Sequence, residues 1–265
     1  MIKEALKKAS LILKSPKEAS ILLQYHLGCD QVYLLLNEDK KLKELEIYEK
    51  LVQRRLKNEP IEYITNEVSF YSRIFFIKEG ALIPRPETEI LVDLAVNILK
   101  KNKAFNIAEI GTGSGIISIM LAILIDDIKI TATDISKEAL EIARINAYKF
   151  GVEKKIEFIH TSYLDGIYDK FDMIISNPPY IANDFNLEKS LDFEPKNALF
   201  GGEKGDEILK NIIDIWINSD ASYLLCEIGY DQKEPLTNFL IEKNIKEFSF
   251  YKDLSSLNRG FIVQR

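Results

Sequence analysis

Residues 106–120 read Asn106-Ile107-Ala108-Glu109-Ile110-Gly111-Thr112-Gly113-Ser114-Gly115-Ile116-Ile117-Ser118-Ile119-Met120. A short apolar strand, 106–110, runs into three glycines and then into a helix predicted over 114–125. Glycines let a backbone turn tightly and approach a ligand closely, and a helix N-terminus offers unpaired N–H groups. The spacing is G-x-G-x-G with Ile116 next, so the dinucleotide fingerprint is incomplete. The following strand, 128–133, leads to Asp134, 19 residues beyond Gly115. A carboxylate there can accept hydrogen bonds from both hydroxyls of a ribose. No P-loop lysine follows the glycines. Strand, glycines, helix, strand and acid in that order point to a nucleoside-containing ligand, and NAD and S-adenosylmethionine both fit this much. The bland alternative is a tight strand–helix turn with a surface acid.

Outward from this stretch the pattern keeps alternating. Further strands are predicted at 156–160, 171–176, 221–228, 245–251 and 260–264, and helices at 136–150, 205–218 and 232–243. Together these give a seven-stranded, doubly wound α/β sheet of Rossmann-like type. Upstream, residues 1–60 read as a small helical bundle. Ser15-Pro16-Lys17-Glu18 is a helix start, with Ser as N-cap and Pro in the first turn, and Gly28 can end that helix. A further helix is expected over 41–58. Residues 61–82 form a connector in which Ile61–Ile64, Ser69–Tyr71 and Ile74–Ile77 read as extended. Residues 83–265 form the α/β domain, which opens with Pro84 and Pro86 ahead of a helix over 87–101.

A second motif ends the predicted strand 171–176: Asn177-Pro178-Pro179-Tyr180. Ligands of open α/β sheets sit outside the carboxyl ends of the strands, and this fourth strand is expected beside the glycine loop. The Asn177 side-chain carbonyl and the Pro178 carbonyl are both acceptors, and the prolines hold them rigidly. Two convergent acceptors suit a planar NH₂ group, and a Tyr ring can cover its flat face. An amide nitrogen is a poor nucleophile; acceptors on both its N–H bonds raise its electron density and aim it at a methyl donor. The alternative is a proline-rich turn that ends a strand.

The chain has 265 residues and a net charge of −6. Residues 1–80 carry a net +2 and residues 81–265 a net −8. A net-negative body argues against non-specific nucleic-acid binding, which needs excess Lys and Arg, though it leaves room for a local basic groove, and no stable nucleic-acid partner is expected. Cys29 and Cys226 are far apart and form neither a disulfide framework nor a metal box, so a reducing compartment is expected. The N-terminus lacks an apolar signal core, and the longest uncharged run, Ile110–Ile125, is too short and glycine-rich to span a membrane. These features place the expected location in the cytoplasm. His26, His160, Cys226 and Trp216 read as structural. The Lys40–Lys43 and Arg54–Lys57 run reads as a solvated helix face or, alternatively, as a surface for an acidic partner.

With these residues in view, the chain resembles the glutamine-N5 methyltransferases of peptide chain release factors, the PrmC/HemK family. Leu82-Ile83-Pro84-Arg85-Pro86-Glu87-Thr88-Glu89 joined to Ser176-Asn177-Pro178-Pro179-Tyr180-Ile181 carries the resemblance, with Glu109–Gly115, Asp134, Glu194-Pro195, Ala198-Leu199, Gly201-Gly202, Asp253-Leu254 and Arg259. Glu18-Ala19, Leu22-Leu23 and His26-Leu27-Gly28 are similar to the family's helical domain. The resemblance implies methyl transfer from S-adenosylmethionine to the glutamine of the Gly-Gly-Gln motif of class 1 release factors, leaving S-adenosylhomocysteine, with a helical domain that docks the substrate. It implies a cofactor site of Glu109, Gly111, Thr112, Gly113, Ser114, Gly115, Asp134, Tyr163 and Asn177. It implies that Asn177 and Pro178 hold the glutamine amide with Pro179, that Tyr180 packs on it, and that Pro84–Glu89 closes over the site. No metal is implied, and a monomer is expected. Asn66 and Ser72 stand where family members often have Gly, and Lys252 where they often have Arg.

Two rival readings remain. A nucleic-acid adenine N6-methyltransferase would also grip a planar NH₂, but it calls for a basic cleft. An inactive interaction protein on the same fold would be expected to lose Asn177 or the glycines.

Overall fold

Ser15 separates the first two helices by chemistry that the sequence announces. In the computed structural model, which describes residues 1–100 and 105–265, α1 spans Ile2–Leu13 and α2 spans Pro16–Leu27. Ser15 Oγ accepts the Glu18 N–H, and Gly28 closes α2 in the left-handed conformation (φ 61°). α3 (Gln31–Leu36), α4 (Leu45–Leu56) and α5 (Ile61–Thr65) follow. These helices and residues 188–193 form the first of two compact units. Leu22, Leu23, Leu34, Tyr48, Val52 and Ile64 are buried in its core. The buried Tyr48 hydroxyl donates to the Ala19 carbonyl at 2.9 Å, so its polar end is satisfied. Arg55 grips Glu18 through two hydrogen bonds of 2.9 and 2.8 Å.

Residues 61–64 depart from the sequence reading: they are helical, not extended. Pro60 starts the turn at φ −55°, its carbonyl accepts from the N–H groups of Tyr63 and Ile64, and Asn66 ends it at φ 57°. Over five residues, these end signals outweigh the strand preference of Ile and Tyr.

The second unit comprises residues 68–187 and 194–265. β1 (Glu67–Phe70) and β2 (Arg73–Phe76) form a hairpin whose turn residues, Tyr71 and Ser72, both have positive φ (54° and 55°). That conformation suits a two-residue hairpin but normally selects Gly or Asn. The Glu89 carboxylate holds the turn by accepting the Tyr71 N–H at 2.7 Å. Glu89 lies in α6 (Thr88–Leu99); the predicted end of this helix, residue 101, lies outside the described residues.

The main sheet is built from β3 (Phe105–Ile110), β4 (Ile128–Asp134), β5 (Ile156–His160) and β6 (Met173–Ser176). After a short parallel pair, β7 (Ile181–Ala182) and β8 (Phe200–Gly202), come β9 (Tyr223–Glu227), β10 (Phe248–Lys252) and β11 (Asn258–Gln264). The connecting helices are α7 (Ile116–Leu124), α8 (Lys137–Lys149), α9 (Glu207–Ile217) and α10 (Lys233–Glu242). The seven strands lie in the order β10-β11-β9-β6-β3-β4-β5; β11 pairs antiparallel with β10 and β9, and the other pairs are parallel. β4 and β5 therefore extend the sheet to one side of β3, and β6 returns to the other side. The resulting switch point lies between β3 and β6, where Ile110 pairs with Ser176.

The left-handed Ser72 gives the first test. Ser72→Gly removes the Cβ penalty at that φ, partly offset by added freedom in the unfolded chain, and should stabilise by about 0.5–1 kcal/mol. Chemical denaturation should show a raised midpoint at unchanged slope. A lowered midpoint would mean that Ser72 contributes something its backbone conformation does not reveal.

Candidate functional site

The pairing of Ile110 with Ser176 sets two loops side by side at the carboxyl edge of the sheet. After β3, Gly111, Gly113 and Gly115 all take positive φ (72°, 56° and 83°). The N–H groups of Gly111 and Thr112 both donate to the Thr133 carbonyl at 2.9 Å, tying the loop to β4. Buried Asn146 on α8 donates to the Ser114 carbonyl and exchanges two hydrogen bonds with the backbone of Phe76, which fixes the loop against the hairpin.

A cavity opens here. Its wall includes Glu109, Gly111, Thr112, Gly113, Ser114, Asp134, Tyr163, Asn177, Pro178 and Pro179. Pro84, Arg85 and Thr88 also line it. Of the expected cofactor and substrate residues, Gly115 and Tyr180 are not in this wall. Gly115 caps α7, and a Cβ there would meet Ala143 Cβ and Ile119 Cδ1 at 3.0 Å, so its work is close helix packing. Tyr180 is half-buried against the core cluster that includes Ile174, Leu224 and Cys226, and its hydroxyl donates to Glu227 at 3.4 Å.

Electrostatics concentrate on three carboxyl groups. Glu109 is buried (1% exposed). Its Oε2 accepts from Thr112 Oγ1 at 2.8 Å, from the Ser118 N–H at 3.1 Å and from the Ser118 hydroxyl. Among the described residues its Oε1 has no partner, and neither has the buried Ser114 Oγ. Burial pushes Glu109 up to about 7, against the pull of these hydrogen bonds. Asp134 accepts the Gly113 N–H at 2.8 Å and the Ser136 N–H at 2.9 Å, one on each oxygen, and burial also raises its pKa. The third group, Glu227, ends β9 and is 1% exposed.

The tetrapeptide is braced from several sides. Ser176 Oγ donates to the Ile110 carbonyl at 2.6 Å. Asn177 Nδ2 donates to Thr88 Oγ1 at 3.1 Å, and Thr88 Oγ1 donates to Glu227 Oε2 at 2.7 Å. Buried Gln232 donates to the carbonyls of Tyr180 and Gly205 and accepts the Gly229 N–H. A Cβ at Gly201 would come within 2.5 Å of the Pro179 carbonyl, so only glycine permits this packing. Buried Glu194 accepts the Ile83 N–H at 2.9 Å and pairs with Arg85 at 2.6 Å, which anchors the Pro84–Glu89 segment beside the cavity.

The sequence reading missed Glu227 as a site residue and named Thr88 only as part of the closing Pro84–Glu89 segment. The signal for Glu227 was a single carboxyl ending the apolar run Leu224-Leu225-Cys226. The two histidines bond backbone carbonyls, His26 that of Lys43 and His160 that of Ile135.

The chain matches the PrmC N-terminal domain family over residues 1–65 and the Methyltransferase small domain family over residues 87–191. It is 38% identical to the Bifunctional methyltransferase of Rickettsia felis, over 97% of this chain and 57% of that protein. It is 36% identical to the Release factor glutamine methyltransferase of Koribacter versatilis, over 95% of this chain and 92% of that protein. The chain thus spans about half the length of the Rickettsia relatives and nearly all of the Koribacter one. Among solved structures, the ribosomal protein L11 methylase of Lactobacillus delbrueckii is 25% identical with a TM-score of 0.52, over 73% of this chain and 86% of that one. The hMettl16 catalytic domain in complex with MAT2A 3'UTR hairpin 6 has a TM-score of 0.60 at 17% identity, over 72% and 74%, a likeness of fold.

Raised Glu109 has a measurable consequence. Between its ordinary value and about 7 the folded protein holds a proton that the unfolded chain has released, so stability falls as pH rises through this window. Glu109→Gln keeps an acceptor without the charge and should gain about 3 kcal/mol relative to wild type on going from pH 5 to pH 8. Urea unfolding at the two pH values measures this. An equal difference at both would contradict the assigned environment.

Proposed function

Because the chain belongs to the release factor glutamine methyltransferase family, we propose that it transfers a methyl group from S-adenosylmethionine to the side-chain amide N5 of the glutamine in the Gly-Gly-Gln motif of class 1 peptide chain release factors, modulating translation termination. The observation that carries this reading is the meeting of the glycine loop and Asn177-Pro178-Pro179 in the wall of one cavity. We take the protein to act as a cytoplasmic monomer without stable nucleic-acid or membrane association. No helix among the described residues is long and apolar enough to cross a membrane.

The residues present suit S-adenosylmethionine. Glu109 Oε1 and Ser114 Oγ are buried polar atoms without partners among the described residues, and Glu109 lines the cavity as a carboxyl group fit to meet an ammonium. Asp134 keeps lone pairs for ribose hydroxyls on both oxygens. Gly111, Thr112 and Gly113 bring backbone close, Tyr163 provides a ring in the wall, and Asn177 borders the same space. When bound, this donor supplies an electrophilic sulfonium methyl.

The protein's own part is to hold the glutamine amide. The Asn177 side-chain carbonyl and the Pro178 backbone carbonyl accept its two N–H bonds. Both acceptors are fixed before substrate arrives: Asn177 by Thr88, and Pro178 by the proline ring that follows it. The amide nitrogen then keeps its lone pair for the methyl group, positioning does the work that a strong base would otherwise do, and the proton that nitrogen sheds once the N–C bond forms passes to solvent. Pro179 stiffens the turn. Tyr180 packs on the amide, and its hydroxyl is held by Glu227 at 3.4 Å.

Methyl transfer from labelled S-adenosylmethionine to a purified, unmethylated class 1 release factor tests the proposal. A Gln→Ala variant of its Gly-Gly-Gln motif and an adenine-containing duplex run in parallel. Label on the wild-type factor alone is expected; label on the duplex alone would contradict the proposal. Asn177→Ala should lower kcat about 100-fold and leave donor affinity within a few fold. A large loss of donor affinity with normal turnover at saturation would overturn its role.

A further inference from the structure

The hydroxyl of Thr88 has one proton to give and two neighbours. Its Oγ1 lies 2.7 Å from Glu227 Oε2 and 3.1 Å from the Asn177 side chain, and Thr88 is fully buried. An ionised carboxylate only accepts, so the Thr88 proton must go to Glu227. Toward Asn177, Thr88 can then only accept. That fixes the Asn177 amide with Nδ2 on Thr88 and leaves Oδ1 as its free end, at a cavity that Asn177 lines. A glutamine NH₂ needs an acceptor there, and the reversed amide would present a donor.

We propose that Thr88 and Glu227 are positioning residues that set which end of the Asn177 amide meets the substrate. This rests on the methyl-transfer reading above and deepens it. Protonated Glu227 can donate to Thr88, releasing the Thr88 proton toward Asn177 and allowing the amide to turn over. The relay is therefore complete only when Glu227 is ionised.

Several groups face Glu227. Thr88 and Glu87 approach from the start of α6, Tyr180 from the tetrapeptide, Tyr251 from β10 and Arg259 from β11. Burial, with Glu87 adding to it, pushes the Glu227 carboxyl up to about 7, while Thr88, Arg259 and Tyr180 favour its charge. Arg259 is itself held by Asp253 at 2.8 Å. Thr88 and Asn177 line the same cavity as Glu109, so saturating donor at every pH removes the effect of Glu109 on donor occupancy, and Glu227→Gln assigns the remaining pH dependence of kcat.

The experiment is steady-state kinetics of the full chain with an unmethylated class 1 release factor at saturating S-adenosylmethionine, with donor affinity measured by calorimetry. Thr88→Val removes the hydroxyl at constant shape and should lower kcat at least tenfold with donor affinity within threefold. Thr88→Ser restores the hydroxyl and should recover kcat to within threefold of wild type. Wild-type kcat should fall as pH drops through about 7, and Glu227→Gln should lose this acid limb. If Thr88→Val does not fold, the Glu227→Gln profile decides. No transfer by the wild type overturns the methyl-transfer reading and the relay with it. Transfer by the wild type, with Thr88→Val within threefold or the acid limb intact in Glu227→Gln, overturns the relay alone.

Discussion

The pairing of β3 with β6 is the constraint on which the site depends. In register, Ile110 lies opposite Ser176, and each strand ends at that step. The chain leaves one strand through glycines and the other through Asn177 and two prolines. Opposed backbone requirements meet there. Gly111 and Gly113 must adopt positive φ, which a side chain resists, and Pro178 and Pro179 hold φ fixed by their rings. The first loop gives close backbone approach, and the second gives rigid acceptors. A one-residue slip between β3 and β6 would separate them and invert every side chain along β6.

Buried carboxyls run along the same edge. Glu109 is the next-to-last residue of β3 on one side of the switch point and Glu227 ends β9 on the other, and burial raises both to about 7. Each destabilises the fold when ionised, so neither is explained by stability. Glu109 keeps one oxygen unpartnered at the cavity. Glu227 spends its oxygens on Thr88 and Tyr180, groups that in turn hold the tetrapeptide. The retention of two such costly groups beside one cavity fits a site in which charge and orientation matter more than packing.

The strands and helices of the α/β unit were legible in the sequence because each is a periodic apolar run bounded by strong punctuation. Gly111–Gly115 stop β3, Ser136 caps α8 through the Ala139 N–H, and Pro178 stops β6. Residues 61–64 were misread because end signals outweigh strand preference over so short a segment. The Asn66 and Ser72 departures from family glycines are also intelligible: both sit at positive φ. The relay could not be read. Thr88 lies 89 residues from Asn177 and 139 from Glu227, so only the strand order of the folded sheet brings them together. The contact of the Tyr180 hydroxyl with Glu227 was equally hidden, since 47 residues separate the two in sequence.

The central claim is that two fixed acceptors grip the substrate amide. A Gly-Gly-Gln peptide with ¹⁵N in the glutamine side chain, bound to the protein with S-adenosylhomocysteine, reports this directly by NMR. Both side-chain N–H protons should shift downfield on binding, and Asn177→Ala should abolish the shift of one. Binding that leaves both resonances at their free positions would contradict the account.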